Sequence, residues 1–217
     1  MSRNSFSLWS AAAANPSLVT LIRELQSALS DCRTVLDVGC GNASPLRFVK
    51  GPQITGLDGY PPALEEARRA GTHDDYVSGN VVELGKRFKP GQFDACIALD
   101  VIEHLPKETG WQMLAEMERI ARRKVIILTP NGFLPQKSHD GDLQEHLSGW
   151  TAPELRSKGY EVVGMYGVKS LRGEYHRIKN QPRIFWLGVS LLSHWFHTRS
   201  RPEKSAAILC SKRMGAT

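Results

Sequence analysis

Three aspartates, Asp37, Asp58 and Asp100, each close a short apolar run: Val35-Leu36, Ile54–Leu57 and Phe93–Leu99. Buried strand ends do not need carboxylates for packing, so three of them point to a polar ligand. After the first comes Gly39-Cys40-Gly41-Asn42-Ala43-Ser44, a glycine turn that lets backbone amides approach a ligand at a helix N-terminus. A tight strand-to-helix turn without a ligand would also explain the glycines, but not the acids around them. A dinucleotide fingerprint carries a third glycine where this chain has Ser44. Asp37, two residues ahead of Gly39, would repel a pyrophosphate and attract a cation. Asp58, 21 residues further on, suits a pair of ribose hydroxyls. A ligand with a ribose, a positive centre and no phosphate fits these groups.

Histidines supply the other chemistry. His104 follows the Phe93–Leu99 run, and His139 and His146 fall in the long polar stretch 131–149. Histidine can take a proton from an acceptor hydroxyl near neutral pH. His146, close to Trp150, is the first candidate; His104 is the second, with packing under a loop as its structural alternative. His139 follows, and His73 is expected at the surface. Asp140, Asp142 and Glu145 lack the spacing of a calcium loop, Asp140-Gly141 suits a turn, and no metal site is expected. Cys32, Cys40, Cys96 and Cys210 have neither metal-ligand nor framework spacing and are expected as buried reduced thiols.

These residues need elements to hold them. Strands are expected at 35–37, 54–58, 76–77, 93–99, 125–128, 160–165 and 206–210. Helices are expected after Asn15-Pro16, from Pro45 to Val49, over 63–70 with Gly71 as C-cap, over 107–122, and after the capping box Thr151-Ala-Pro-Glu154. Strands alternating with helices give a doubly wound, Rossmann-like α/β fold: seven strands, mostly parallel, the last antiparallel. Residues 1–217 are expected as one domain, with an N-terminal helical segment over 1–30 and a basic, aromatic insert over 171–204 between the last two strands.

The net charge of +6 lies in that insert, since Lys169–Lys204 holds eight basic and two acidic residues. A nucleic-acid-coating protein would spread such charge over a face, so nucleic acid is not the expected partner. Within the insert, 183–197 is expected as one helix, with Ser190, His194 and His197 in a narrow polar stripe and apolar side chains elsewhere. At about 22 Å it is too short to span a bilayer. It suits a lid over the acceptor, a peripheral membrane contact over 184–196, or a core or homodimer interface. No secretory leader is read, and the chain is expected in the cytoplasm, with membrane-peripheral placement open.

At this point the sequence resembles the class I S-adenosylmethionine-dependent methyltransferases, in the small-molecule, ubiquinone-methylase-like form. Val35-Leu-Asp-Val-Gly-Cys-Gly41 resembles their first motif, Leu57-Asp58 their ribose-binding acid, and Val77-Ser-Gly-Asn80-Val81 their adenine loop, with Asn80 where Asp is usual. Phe93-Asp-Ala-Cys-Ile-Ala-Leu-Asp-Val-Ile-Glu-His-Leu105 resembles the fourth motif. The resemblance implies S-adenosylmethionine as cofactor. Asp37 and Gly39 would then position its amino-acid end, Gly41 would leave it room, Asp58 would hold the ribose, Asn80 and Val81 the adenine, and Asp100 would face the methionine end. It also implies methyl transfer to a small-molecule, lipid or glycan-type acceptor, with oxygen as the acceptor atom. The alternatives are an RNA methyltransferase and a non-catalytic cofactor-binding protein of the same fold. Asp100-Val-Ile-Glu103 stands where amino-group RNA methyltransferases carry an Asn/Asp-Pro-Pro-aromatic tetrad, which disfavours the former.

Overall fold

The computed structural model describes residues 16–136, 144–173 and 177–215. Its strands are β1 (Thr34–Val38), β2 (Gln53–Asp58), β3 (Asp75–Ser78), β4 (Phe93–Leu99), β5 (Ala121–Pro130), β6 (Glu161–Val168) and β7 (Ser205–Arg213). Its helices are α1 (Pro16–Ala28), α2 (Pro61–Ala70), α3 (Leu84–Arg87), α4 (Lys107–Ile120), α5 (Ala152–Ser157) and α6 (Arg183–Ser193). The strands form one seven-stranded sheet in the order β3-β2-β1-β4-β5-β7-β6. β1 is parallel to both β2 and β4, and β2 to β3, while β6 and β7 are antiparallel. This is the expected doubly wound arrangement, with its switch point where the chain order reverses beside β1.

The described residues divide into two compact units. One comprises the chain up to Leu99, Trp111–Val125 and the residues from Arg213; the other comprises Asp100–Gly110 and Ile126–Lys212. In the first unit, β1 and β4 are almost wholly buried, as strands covered on both faces must be. Their starts are tied by Asp94, whose Oδ2 accepts the amides of Arg33 (2.8 Å) and Thr34 (3.2 Å). α1 turns Leu21, Ile22 and Leu25 inward at helical spacing. α2 starts on Pro61-Pro62 and stops at Gly71, which is left-handed (φ 64°) and returns its amide to the last turn.

The sequence reading needs three corrections here. The helix expected over Pro45–Val49 is a four-residue 3-10 turn, Pro45–Phe48, capped by Ser44, whose Oγ accepts the Leu46 amide (3.2 Å). Val49 is already extended, and Gly51-Pro52 follows, so no further helical turn forms. β6 runs three residues past its expected end at Met165, through a register shift at which Tyr166 (φ 64°) and Gly167 (φ 75°) are both left-handed. His73 is buried rather than exposed. The Tyr76 hydroxyl accepts its amide (2.8 Å), and its ring reaches inward to Asp37.

The second unit is organised around Trp150, the largest fully buried side chain. Its indole N–H donates to Ser148 Oγ (2.8 Å), and Lys107 Nζ sits 3.6 Å from its ring centroid. Gly110 on α4 makes room for it, since a Cβ there would lie 2.5 Å from the Trp150 ring. Lys107 also pairs with Glu154 (2.7 Å), which reaches back to the Thr151 amide at the start of α5. Trp150 is thus the anchor of its loop. Trp150→Ala is expected to destabilise the protein by about 3–5 kcal/mol, the usual cost of emptying a tryptophan site, measured by urea unfolding.

Candidate functional site

The first unit contains a cradle made by the ends of β1 and β2. Gly39 and Cys40 donate their amides to Leu57 O (2.8 and 3.0 Å), which folds the glycine turn across the end of β2. Gly41 is left-handed (φ 54°), and its amide donates to Asp58 Oδ2 (2.7 Å). The other Asp58 oxygen accepts the Tyr60 amide (2.8 Å). The carboxylate is therefore fixed by two backbone donors, each oxygen keeping lone-pair capacity for a ligand hydroxyl. Gly79 donates to Asp58 O (3.0 Å), so the loop carrying Asn80 and Val81 runs beside Asp58. Asn80 is exposed, and its Oδ1 caps the following 3-10 turn through the Val82 amide (3.1 Å).

Asp37 is placed differently from the other acids. It is 1% exposed, and its Oδ2 accepts both Ser44 Oγ (2.5 Å) and His73 Nε2 (2.9 Å). Thr72 Oγ1 holds the other ring nitrogen of His73 (2.8 Å). Asp37 thus braces the glycine turn through Ser44, the residue that replaces the third glycine. Sequence reading found Asp37 and Ser44 but missed His73, because nothing in spacing marks a histidine that points back under a strand.

The second unit holds a cavity of about 260 Å³ lined by Asp100, Glu103, His104, Pro130, Leu134, Gln136, Gln144 and His146. Asp100 follows β4 with φ 54°, a conformation an L-residue adopts at a cost, and its amide donates to Leu128 O (2.9 Å). Glu103 lies in the 3-10 turn Ile102–His104 and is 2% exposed. Its Oε2 accepts Thr129 Oγ1 (3.0 Å), while Oε1 is buried with no hydrogen-bond partner. Burial, reinforced by the negative charge of Asp100, pushes this carboxyl well above the usual carboxylate range.

The two histidines of the cavity are held alike. His104 Nδ1 contacts Glu145 O (3.0 Å), and His146 Nδ1 contacts Leu134 O (2.6 Å). A carbonyl only accepts, so each Nδ1 carries a proton, and in the neutral form of either ring the basic lone pair is that of Nε2. The rings meet edge to face with centroids 4.8 Å apart. One ligand-capable atom from each of Glu103, His104 and His146 lies within 4.8 Å of the others. Sequence reading named both histidines and expected no metal; it missed Glu103, although the run Asp100-Val-Ile-Glu103-His104 was in view. A glutamate and a histidine side by side on a single tight turn are the signal that could have found it. His139 lies outside the described residues. Tyr166, on the irregular part of β6, also went unread; burial and Asp100 push its phenol far up, and Arg172 lies 5.5 Å from its ring.

No residue of 183–198 lines the cavity. Within the second unit that helix packs on β6.

The comparisons with known proteins agree with this geometry. A family model described as a methyltransferase domain matches residues 36–129. The chain is 30% identical over 180 residues to a ubiquinone biosynthesis O-methyltransferase of Bordetella bronchiseptica, covering 72% of this chain and 73% of that one. It is 38% identical over 180 residues to the protein of the same name from Bordetella parapertussis, with the same coverage. Among solved structures, the N-terminal domain of EvdMO1, obtained in the presence of SAH and D-fucose, superposes with a TM-score of 0.58 at 13% identity, covering 92% of this chain and 83% of that one. That likeness is one of fold. With the cradle at β1 and β2 and relatives of this identity and coverage, the chain belongs to the class I S-adenosylmethionine-dependent methyltransferases, and S-adenosylmethionine is its cofactor.

Proposed function

We propose that this methyltransferase methylates a hydroxyl oxygen of a small-molecule, lipid- or glycan-type acceptor, activated by the Glu103, His104 and His146 cluster. The observation that carries the reading is the pair of histidines whose Nδ1 atoms are pinned by backbone carbonyls, so that Nε2 is the basic atom of each. The relatives are O-methyltransferases by name, which fits an oxygen acceptor. On the cofactor side, Asp58 takes the ribose hydroxyls, Gly39 and Gly41 let the backbone approach the amino-acid end, and Asn80 and Val81 flank the adenine. Asp37 acts through Ser44, and Asp100 serves the methionine end. Four buried free cysteines accord with a reducing, cytoplasmic location.

The sulfonium methyl is already activated, so alignment is the main task. An acceptor oxygen pair forms the C–O bond as the C–S bond breaks, and the released pair stays on sulfur as S-adenosylhomocysteine. The hydroxyl proton passes to His146 Nε2.

A second reading of the cluster rests on Glu103 Oε1, a buried oxygen without a donor beside two imidazoles. One carboxylate and two histidines form a donor set for a divalent cation of the Zn2+ or Mn2+ class, and such a cation would relieve the penalty on the buried anion. Glu103, His104 and His146 would hold that cation, which would supply Lewis acidity toward an acceptor hydroxyl.

Calorimetry should show S-adenosylhomocysteine binding and no NADH binding. Asp58→Ala should weaken the former by about 1.5–3 kcal/mol, the scale for hydrogen bonds to a charged group; an unchanged affinity would place the ribose elsewhere. His146→Ala should keep that affinity and lower transfer of tritiated methyl to an identified acceptor by at least about tenfold. Untagged, chelator-treated protein separates the two readings. Full turnover in chelator leaves the histidine as base. Stoichiometric Mn2+ binding that His104→Ala abolishes, with turnover restored by Mn2+, establishes the cation.

A further inference from the structure

The helix α6 and the π-helical turn that continues it, His194–Thr198, are mounted inside out. Their buried residues are Ser190, His194 and Thr198, all polar. Their exposed residues include Ile184 (87%), Phe185, Leu192, Trp195 and Phe196 (84%). At 100° per residue these five fall within one stripe of the helix, opposite the buried polar one. A surface helix of a soluble domain ordinarily turns the other way, with apolar residues in and polar residues out.

The inversion is fastened in place. Ser190 Oγ donates to Tyr166 O (2.8 Å) and receives the Arg172 guanidinium through Nη2 (2.9 Å). The Val168 amide donates to Ser193 Oγ (3.1 Å). β6 carries glycine at the two closest approaches: a Cβ on Gly167 would lie 2.2 Å from Ser190 O, and one on Gly164 would lie 2.0 Å from Thr198 O. A helix held this closely by directional polar bonds cannot roll to hide its apolar stripe without breaking them.

Charge says what the stripe meets. From Arg177 to Arg201 the chain has five basic residues, Arg177, Lys179, Arg183, Arg199 and Arg201, all exposed, and no acid. The nearest acid beyond them, Glu203, is paired with Arg156. A second copy of the chain docked about a two-fold axis would bring this basic cluster onto itself, which costs affinity. A nucleic acid would suit the charges but leave Ile184 and Leu192 with nothing to stack on. A bilayer surface with anionic head groups answers both halves at once, since its acyl boundary takes the apolar stripe and its head groups take the basic flanks. No described helix is long and apolar enough to cross a membrane, so the contact lies in the interface plane.

We infer that residues 183–201 are a peripheral docking surface for anionic membranes, with Ile184, Phe185, Leu192, Trp195 and Phe196 inserted at the acyl boundary. The inference stands apart from the acceptor's identity, because none of these residues lines the cavity. The full chain is tested by flotation with phosphatidylcholine vesicles with and without phosphatidylglycerol. Binding should need phosphatidylglycerol, fall at least about tenfold in high salt, and fall similarly in an Ile184→Ser, Phe196→Ser variant. Both side chains are almost wholly exposed, and S-adenosylhomocysteine affinity should be unchanged in the variant, which confirms its fold. Absence of binding to phosphatidylglycerol vesicles overturns the inference. So does binding that the variant retains, a dimer in sedimentation velocity that the variant dissociates, or single-stranded RNA that competes the protein off vesicles.

Discussion

A carboxyl group sealed inside a protein must be bonded, neutralised or used. Glu103 meets all three conditions in part, and the loop that carries His146 is fastened to its turn. One oxygen is bonded by Thr129 at the end of β5, and its backbone carbonyl takes the amides of Leu147 (2.8 Å) and Ser148 (3.0 Å). The single turn Ile102–His104 thereby fixes the far end of the loop that carries His146. Trp150 closes the same segment from below, its indole donating to Ser148. The other Glu103 oxygen is buried beside two imidazoles without a hydrogen-bond partner.

The cofactor cradle follows a different logic, that of backbone donors placed before the ligand arrives. Asp58 is held by the amides of Gly41 and Tyr60, so its orientation does not have to be paid for on binding. Asp37 Oδ2 is bonded within the protein, to Ser44 and His73, and braces the turn. Two aspartates of similar sequence context are therefore held differently, one by backbone amides and one by side chains. Their burial separates them, and burial is not written in their spacing.

Much of this was legible beforehand, and the exceptions have physical causes. Strand ends, the glycine turn and the helix stop at Gly71 are local events, governed by residues within a few positions of one another, and the sequence states them directly. Asp58, His104 and His146 could be named from their types and places in the chain, although the carbonyls that hold the two imidazoles, those of Glu145 and Leu134, are 41 and 12 residues away. His73 and Tyr166 were not legible, because their roles come from partners 36 residues away in one case and from a left-handed kink within β6 in the other. Glu103 stood within a run already singled out, but its importance depends on a buried neighbour, Thr129, brought in by a different strand.

The insert shows the opposite failure, in which the pattern was read correctly and its orientation was not available. Ser190 and His194 do form a narrow polar stripe, and pattern alone would put such a stripe toward water. The sheet decides otherwise, because Gly164 and Gly167 on β6 admit the helix backbone to a distance at which only small or hydrogen-bonding side chains fit. Ser190 and Thr198 satisfy that steric demand, and Arg172 supplies the donors that Ser190 accepts. The large apolar residues are displaced outward as a consequence of the close approach. A protein that only needed to cover β6 could have done so with leucines facing in at ordinary packing distance. Glycines on the strand and serines on the helix instead hold five large apolar side chains in solvent, and the basic residues around them give that exposure a direction.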